Sequence, residues 1–186
     1  MQWPPRQRLL AAARLLFARH GFRAVGVDSI AEAAGSNKMT LYRHFASKDA
    51  LVAEVLRGIA AEENAFWEQL SAAHPGDPRA QLEAWLEIVV QGIEGARGCP
   101  LSNAAVEIPE KDHPARAVIE EQKRAGRNRI LALCHALGAT NPELLADELF
   151  LLIEGARVSA QSVGPQGPCA QVGRMADALI AAHTSR

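Results

Sequence analysis

The stretch that most constrains this chain runs from Gly26 to Phe45. Val27, Ile30, Ala31 and Ala34 recur at helical spacing, and Gly35 supplies the positive-φ residue that commonly ends a helix. After the short turn that holds Gly35, Asn37 is a good N-cap, and Leu41 and Phe45 give the next segment one narrow apolar face. Two short helices joined in this way make the helix-turn-helix pattern, in which the second helix enters the DNA major groove.

At roughly 100° per residue, a second helix with Leu41 and Phe45 facing a core points Met39, Thr40 and Arg43 the other way, with Tyr42 and His44 on the flanks. Arg reads guanine bidentately and a Thr or Met methyl packs on the thymine methyl, whereas flanking phenol and imidazole groups suit phosphates. Val27, Asn37, Lys38, Met39, Thr40, Tyr42, Arg43, His44 and Lys48 are therefore the candidate DNA contacts. Taken alone, such residues describe a solvated helix face just as well. Charge decides between the two. Residues 1–48 hold eight basic side chains against Asp28 and Glu32, a net of plus six, while the whole 186-residue chain stands at −1. A basic head on an acidic body is the footprint of a nucleic-acid-binding part joined to something else.

The runs Ile30-Ala31-Glu32-Ala33-Ala34-Gly35, Thr40-Leu41-Tyr42-Arg43-His44-Phe45 and Ser47-Lys48-Asp49-Ala50-Leu51 resemble the DNA-binding domain of the TetR family of bacterial transcriptional regulators. The likeness covers about the first quarter of the chain. It implies an all-helical homodimer, a small-molecule pocket in the C-terminal domain, and release from the operator when that pocket fills. Ser36 departs from the apolar residue usual there, and Met39 from the small one.

Hydrophobic residues, 48% of the chain, are enough for a core. No apolar run approaches the roughly 18 to 20 residues of a membrane span, and Met1 to Pro5 lacks the regions of a secretory signal, so a cytoplasmic protein is expected. Cys99, Cys134 and Cys169 are odd in number and lack zinc-ligand spacing, so no metal and no cofactor is predicted.

Pro4 and Pro5 open a first helix with Leu9, Leu10, Ala13, Leu16 and Phe17 inward. Gly21 is expected to end it in a Schellman motif, with Phe22 folded onto Phe17. Arg6, Arg8 and Arg14 are either a solvated face or phosphate contacts. Ser47 caps a long helix running to Pro75-Gly76, read as the one covalent element able to carry a signal from head to body. Asp77-Pro78 starts another, with Leu82, Trp85, Leu86, Val89, Val90 and Ile93 inward. Gly95 and Gly98 loosen the chain before a short helix from Leu101 to Ile108. A further helix follows His113-Pro114 to about Leu137, where Gly138 marks its end.

Asn141-Pro142 caps a helix that is apolar nearly all round, and the last segment carries Val172, Met175 and Leu179. A helix of that kind is buried on more than one side. Leu145, Leu149, Leu152, Ile153, Ala156, Val172, Met175 and Leu179 are accordingly the candidate dimer surface. Trp85, Val89, Asn103, Glu107, Phe150 and Glu154 are the candidate wall of a ligand pocket, although core packing or an exposed face accounts equally well for each.

No phosphate loop, His-Glu-x-x-His, Gly-x-Ser-x-Gly or βα alternation is present. Glu107 with His113 and Glu154 with Arg157 are poor acid–base candidates, so no enzyme is predicted. The expected fold is all-α, about nine helices: a helix-turn-helix DNA-binding domain at residues 1–48, with the motif at 26–45, and an effector-binding and dimerisation domain at 49–186. The expected partners are a double-stranded operator, a second copy and a small effector. The function read from this is a repressor released from a palindromic operator by that effector. The alternatives keep the head but replace the effector with oxidation of Cys99, or make the body a docking surface for another protein.

Overall fold

The structure is a computed structural model that describes residues 3–93 and 98–184; the Gly95 break lies outside the described residues. Among these residues there are nine α-helices and no strand. They are α1 (Pro5–His20), α2 (Val27–Ala33), α3 (Lys38–His44), α4 (Lys48–Ala73), α5 (Pro78–Ile93), α6 (Pro100–Glu107), α7 (Pro114–Ala136), α8 (Pro142–Val163) and α9 (Val172–Thr184), with a 3-10 turn at Pro168–Gln171.

Local chemistry sets most of the boundaries. The side chains of Asn37, Ser47, Asp77 and Asn141 accept from the backbone N–H groups of Thr40, Ala50, Ala80 and Leu144, so α3, α4, α5 and α8 start on their own caps. At α7 the cap is His113, whose Nδ1 accepts from the Ala115 N–H at 3.1 Å. Gly35 ends α2 at φ 58°, with Ser36 N–H returning to the Ala31 carbonyl and Gly35 N–H to Glu32. That paired return is the Schellman motif, repeated at Gly138, where Ala139 returns to Cys134.

Gly21 does not follow that pattern, contrary to the expectation. It sits at φ 85°, ψ 168°, a region open only to glycine, and its own N–H returns to Phe17. Phe22 does fold onto Phe17, with ring centroids 5.1 Å apart, yet its N–H makes no return bond to the helix. It donates instead to the Glu107 carboxylate on α6.

The chain divides into two compact units. The first holds α1, α2, α3, α4 as far as Glu63, and Pro100–Gln122. Its buried residues include Leu9, Phe17, Ile30, Leu41, Phe45, Leu51, Leu56 and Leu101. α1 and α4 run parallel, tied at two rungs with the same sequence offset: Arg6 to Glu54 at 2.6 Å, and Arg14 to Glu62 through a forked pair. The second unit, 64–99 and 123–186, is built on Leu82, Leu86, Ile130, Leu145, Leu149, Ile153, Val172 and Ile180, with Trp67 stacked on Trp85 at 5.8 Å.

Packing thus divides the chain elsewhere than residue 48, which is where α4 begins. Nor is α4 the single covalent link. The backbone passes between units three times, inside α4 after Glu63, before α6 at Pro100, and inside α7 after Gln122.

Candidate nucleic-acid interface

The helical arithmetic for α3 holds. Leu41 is fully buried and Phe45 nearly so, and this anchors one side of a helix only two turns long. Met39 is 78% exposed, and Tyr42, Arg43 and His44 are exposed beside it, with Thr40 half-buried. A lone two-turn helix would not persist in water, so it is the burial of Leu41 and Phe45 that holds the outward face in place. Val27 is half-buried at the first turn of α2, and Lys38 lies 3.5 Å from Asp28, a long and exposed pairing.

Two candidates are engaged within the chain itself. The Asn37 side-chain oxygen is occupied as the cap of α3, which leaves its amide N–H groups for a partner. Lys48 also braces the turn after α1. Its ammonium donates to the Arg23 carbonyl at 3.2 Å, and burial lowers its pKa, a shift opposed by the charges of Asp49 and Glu107. Of the α1 arginines, Arg6 and Arg14 are held by α4 carboxylates, and Arg6 also lies 5.2 Å from the centre of the Phe45 ring. The hydrogen bond from Arg14 depresses Glu62 and raises Arg14 in turn. The basic count of the head therefore overstates the charge free to meet phosphates.

The residues proposed for the pocket wall fall in both units. Trp85, Val89, Phe150 and Glu154 belong to the second unit, Asn103 and Glu107 to the first. Trp85 is core, stacked on Trp67, and Val89 packs against the same core. Glu107 is no free ligand anchor, because its Oε2 accepts from the N–H groups of Phe22 at 2.6 Å and Arg23 at 3.2 Å. Asn103 is half-buried on α6. Phe150 lines an open groove of about 370 Å³ with Lys123, Arg124, Arg127, Asp147 and Leu151. Glu154 accepts from Lys123 at 2.7 Å and from Arg157 at 3.2 Å.

The proposed dimer surface is corrected as well. Leu145, Leu149, Ile153, Ala156 and Val172 are buried within the single chain, where they form its core. Leu152 and Leu179 are half-buried against that core. Of the eight residues, Met175 alone is largely exposed. The open side of α8 is instead Leu144, Leu151 and Val158, seven residues apart and so on one helix face. The sequence carries that heptad stripe, but an all-round apolar helix hides it.

Among the described residues no group of His, Cys, Asp and Glu is arranged to hold a metal ion, and no helix is long and apolar enough to cross a membrane. All three cysteines are free thiols. Burial pushes Cys134 up to about 11, while Cys99 is half-buried with the Lys123 ammonium 3.5 Å from its sulfur.

Residues 9–55 match the family model for bacterial regulatory proteins of the tetR family. A stretch of 91 residues, 49% of this chain, is 38% identical to the HTH-type transcriptional repressor KstR2 of Rhodococcus jostii and spans only 44% of that relative. The fold extends the likeness over almost the whole chain. A TetR-family transcriptional regulator of Streptomyces coelicolor superposes with a TM-score of 0.90 over 97% of this chain and 96% of its own, at 24% identity. A Streptomyces avermitilis chain, described as a candidate TetR regulator, gives 0.80 over 95% and 98% at 29% identity. The motif, the matched domain and the shared architecture together make this chain similar to the TetR family of bacterial transcriptional regulators.

Proposed function

We propose that the protein is a homodimeric repressor that reads a palindromic operator with α3 and leaves it when a small molecule binds the second unit. The observation that carries this reading is the division of α3 into a buried side, Leu41 and Phe45, and an outward side bearing Met39, Tyr42, Arg43 and His44. Arg43 is the candidate guanine reader, Met39 and Thr40 are the methyl contacts, and Tyr42, His44 and Lys38 meet phosphates. The exposed α8 stripe of Leu144, Leu151 and Val158, with Met175 on α9, supports the dimer. A two-fold dimer would set its two α3 helices in successive major grooves, about 34 to 36 Å apart.

The effector reading draws on the groove beside Phe150, where three cationic side chains border an apolar floor. An effector acts only through a difference in affinity between the DNA-competent state and another. Fluorescence anisotropy with operator and scrambled duplexes, paired with light scattering for mass, tests the reading. A dimer with at least hundredfold preference for the operator supports it, on the scale by which specific binding exceeds non-specific binding. A monomer, or equal affinity for both duplexes, refutes it.

A second reading is favoured by the lysine beside Cys99. A peroxide would take the thiol to a sulfenic acid, itself being reduced to water, and the oxidised chain would release DNA. Peroxide-dependent loss of operator binding in the native chain, absent in Cys99→Ser, separates this switch from the effector.

A further inference from the structure

The turn after α1 is held by a carboxylate from 85 residues further along the chain. Glu107, the last residue of α6, directs Oε2 at the consecutive N–H groups of Phe22 and Arg23. A charge-assisted bond to two backbone donors is stronger than a neutral one and fixes direction as well as distance. Both carboxylate oxygens lie 2.8 Å from where a Cβ on Gly21 would stand, so the latch and a side chain at that position exclude each other.

The same turn is gripped from its other side. Arg23 presents its N–H to Glu107 and its carbonyl to Lys48, at the start of α4. Arg23 also reaches Glu110 at 3.1 Å, and His113 reaches Asp49 at 3.3 Å, but these pairings are with exposed carboxylates and are worth little. The turn leads from α1 into α2, and α2 leads through Gly35 into α3, so its direction is handed on to the DNA-reading helix.

We propose that Glu107 is a positioning residue for DNA reading: its carboxylate, by holding the Phe22 and Arg23 amides, sets the angle at which α1 delivers α2 and α3 to the duplex. It touches no DNA itself. α6 is reached along the chain directly from the second unit, so a change there would arrive at the head through this bond as well as through α4. The inference rests on the DNA-binding reading above.

The test uses the full chain with Glu107→Ala and Glu107→Gln. Amide exchange by NMR reads the latch without DNA, and anisotropy against operator and scrambled duplexes reads its consequence. Loss of two bonds to a charged acceptor should speed exchange at Phe22 and Arg23 by roughly tenfold or more in Glu107→Ala. Operator affinity should fall by about tenfold while scrambled-DNA affinity stays within about twofold, because phosphate attraction needs no fixed head angle. Glu107→Gln keeps one acceptor oxygen and should recover part of both effects.

Unchanged exchange in Glu107→Ala overturns the latch. A matched fall on both duplexes together with a lowered melting temperature makes Glu107 a structural residue only and overturns the proposal. Should the native chain fail to prefer its operator, the DNA-binding reading falls, and the exchange result still judges the latch.

Discussion

The two compact units hold their functional surfaces by different means. In the first, α3 is too short to stand alone, so its outward face depends on Leu41 and Phe45 beneath it, on the Asn37 cap before it and on the braced turn after α1. In the second, long helices carry large apolar faces that bury one another, and whatever they leave uncovered becomes surface. Removing a cap or latch should therefore disturb DNA reading before it disturbs folding. In the second unit the effect of a substitution should depend on which side of α8 it falls.

The strongest way to break this contrast lies on α8. Leu149 is 0% exposed, and Leu149→Ala should cost about 2–5 kcal/mol of stability with little effect on the self-association of the folded fraction. Leu151, two residues on and 67% exposed, should behave in reverse: Leu151→Asp should leave melting of the single chain nearly unchanged and shift the assembly toward monomer. Thermal unfolding and light scattering on both variants decide the matter. If both lose stability alike, the two-sided account of α8 is wrong.

Arg43 comes next. Arg43→Ala should remove about 1–3 kcal/mol of discrimination per half-site, read as operator affinity relative to scrambled duplex, with melting unchanged. Asn37→Ala should cost roughly 1 kcal/mol through the lost cap of α3, and a Ser at that position should recover most of it. Equal stability of native and Asn37→Ala proteins would show that α3 does not need its cap.

The smallest effect concerns the Arg14–Glu62 pair. Arg14 holds Glu62 below the usual carboxylate range, so the pair stabilises the fold above the unfolded-state value, and that contribution is lost as pH falls through the lowered folded value. Both side chains are about half exposed, which limits the gain to at most about 1 kcal/mol, less in high salt. Arg14→Gln should flatten the acid limb of stability against pH by no more than that, as read by denaturant titration.

What the sequence made legible follows the same divide. α3 could be oriented from Leu41 and Phe45 because a two-turn helix with two apolar residues has only one way to face a core. Gly35 and Asn37 speak through bonds to residues within five positions, so their roles are local and readable. Gly21 looked like the same kind of stop, but its partner Glu107 is supplied by the folded chain, and no local pattern announces it. Arg6, Arg14 and Lys48 read as free positive charge for the same reason. On α8 apolar residues lie nearly all round the helix, so periodicity does not say which leucines face the core; Leu149 and Leu151 part only once α5 and α9 are packed against the helix.

The most direct measurement is selection of bound sequences from a random duplex library with the native protein. An outward α3 face presented by a two-fold pair predicts an inverted repeat whose half-site centres lie about one helical turn, roughly 10 to 10.5 base pairs, apart. An unrepeated motif, or no enrichment at all, would contradict it.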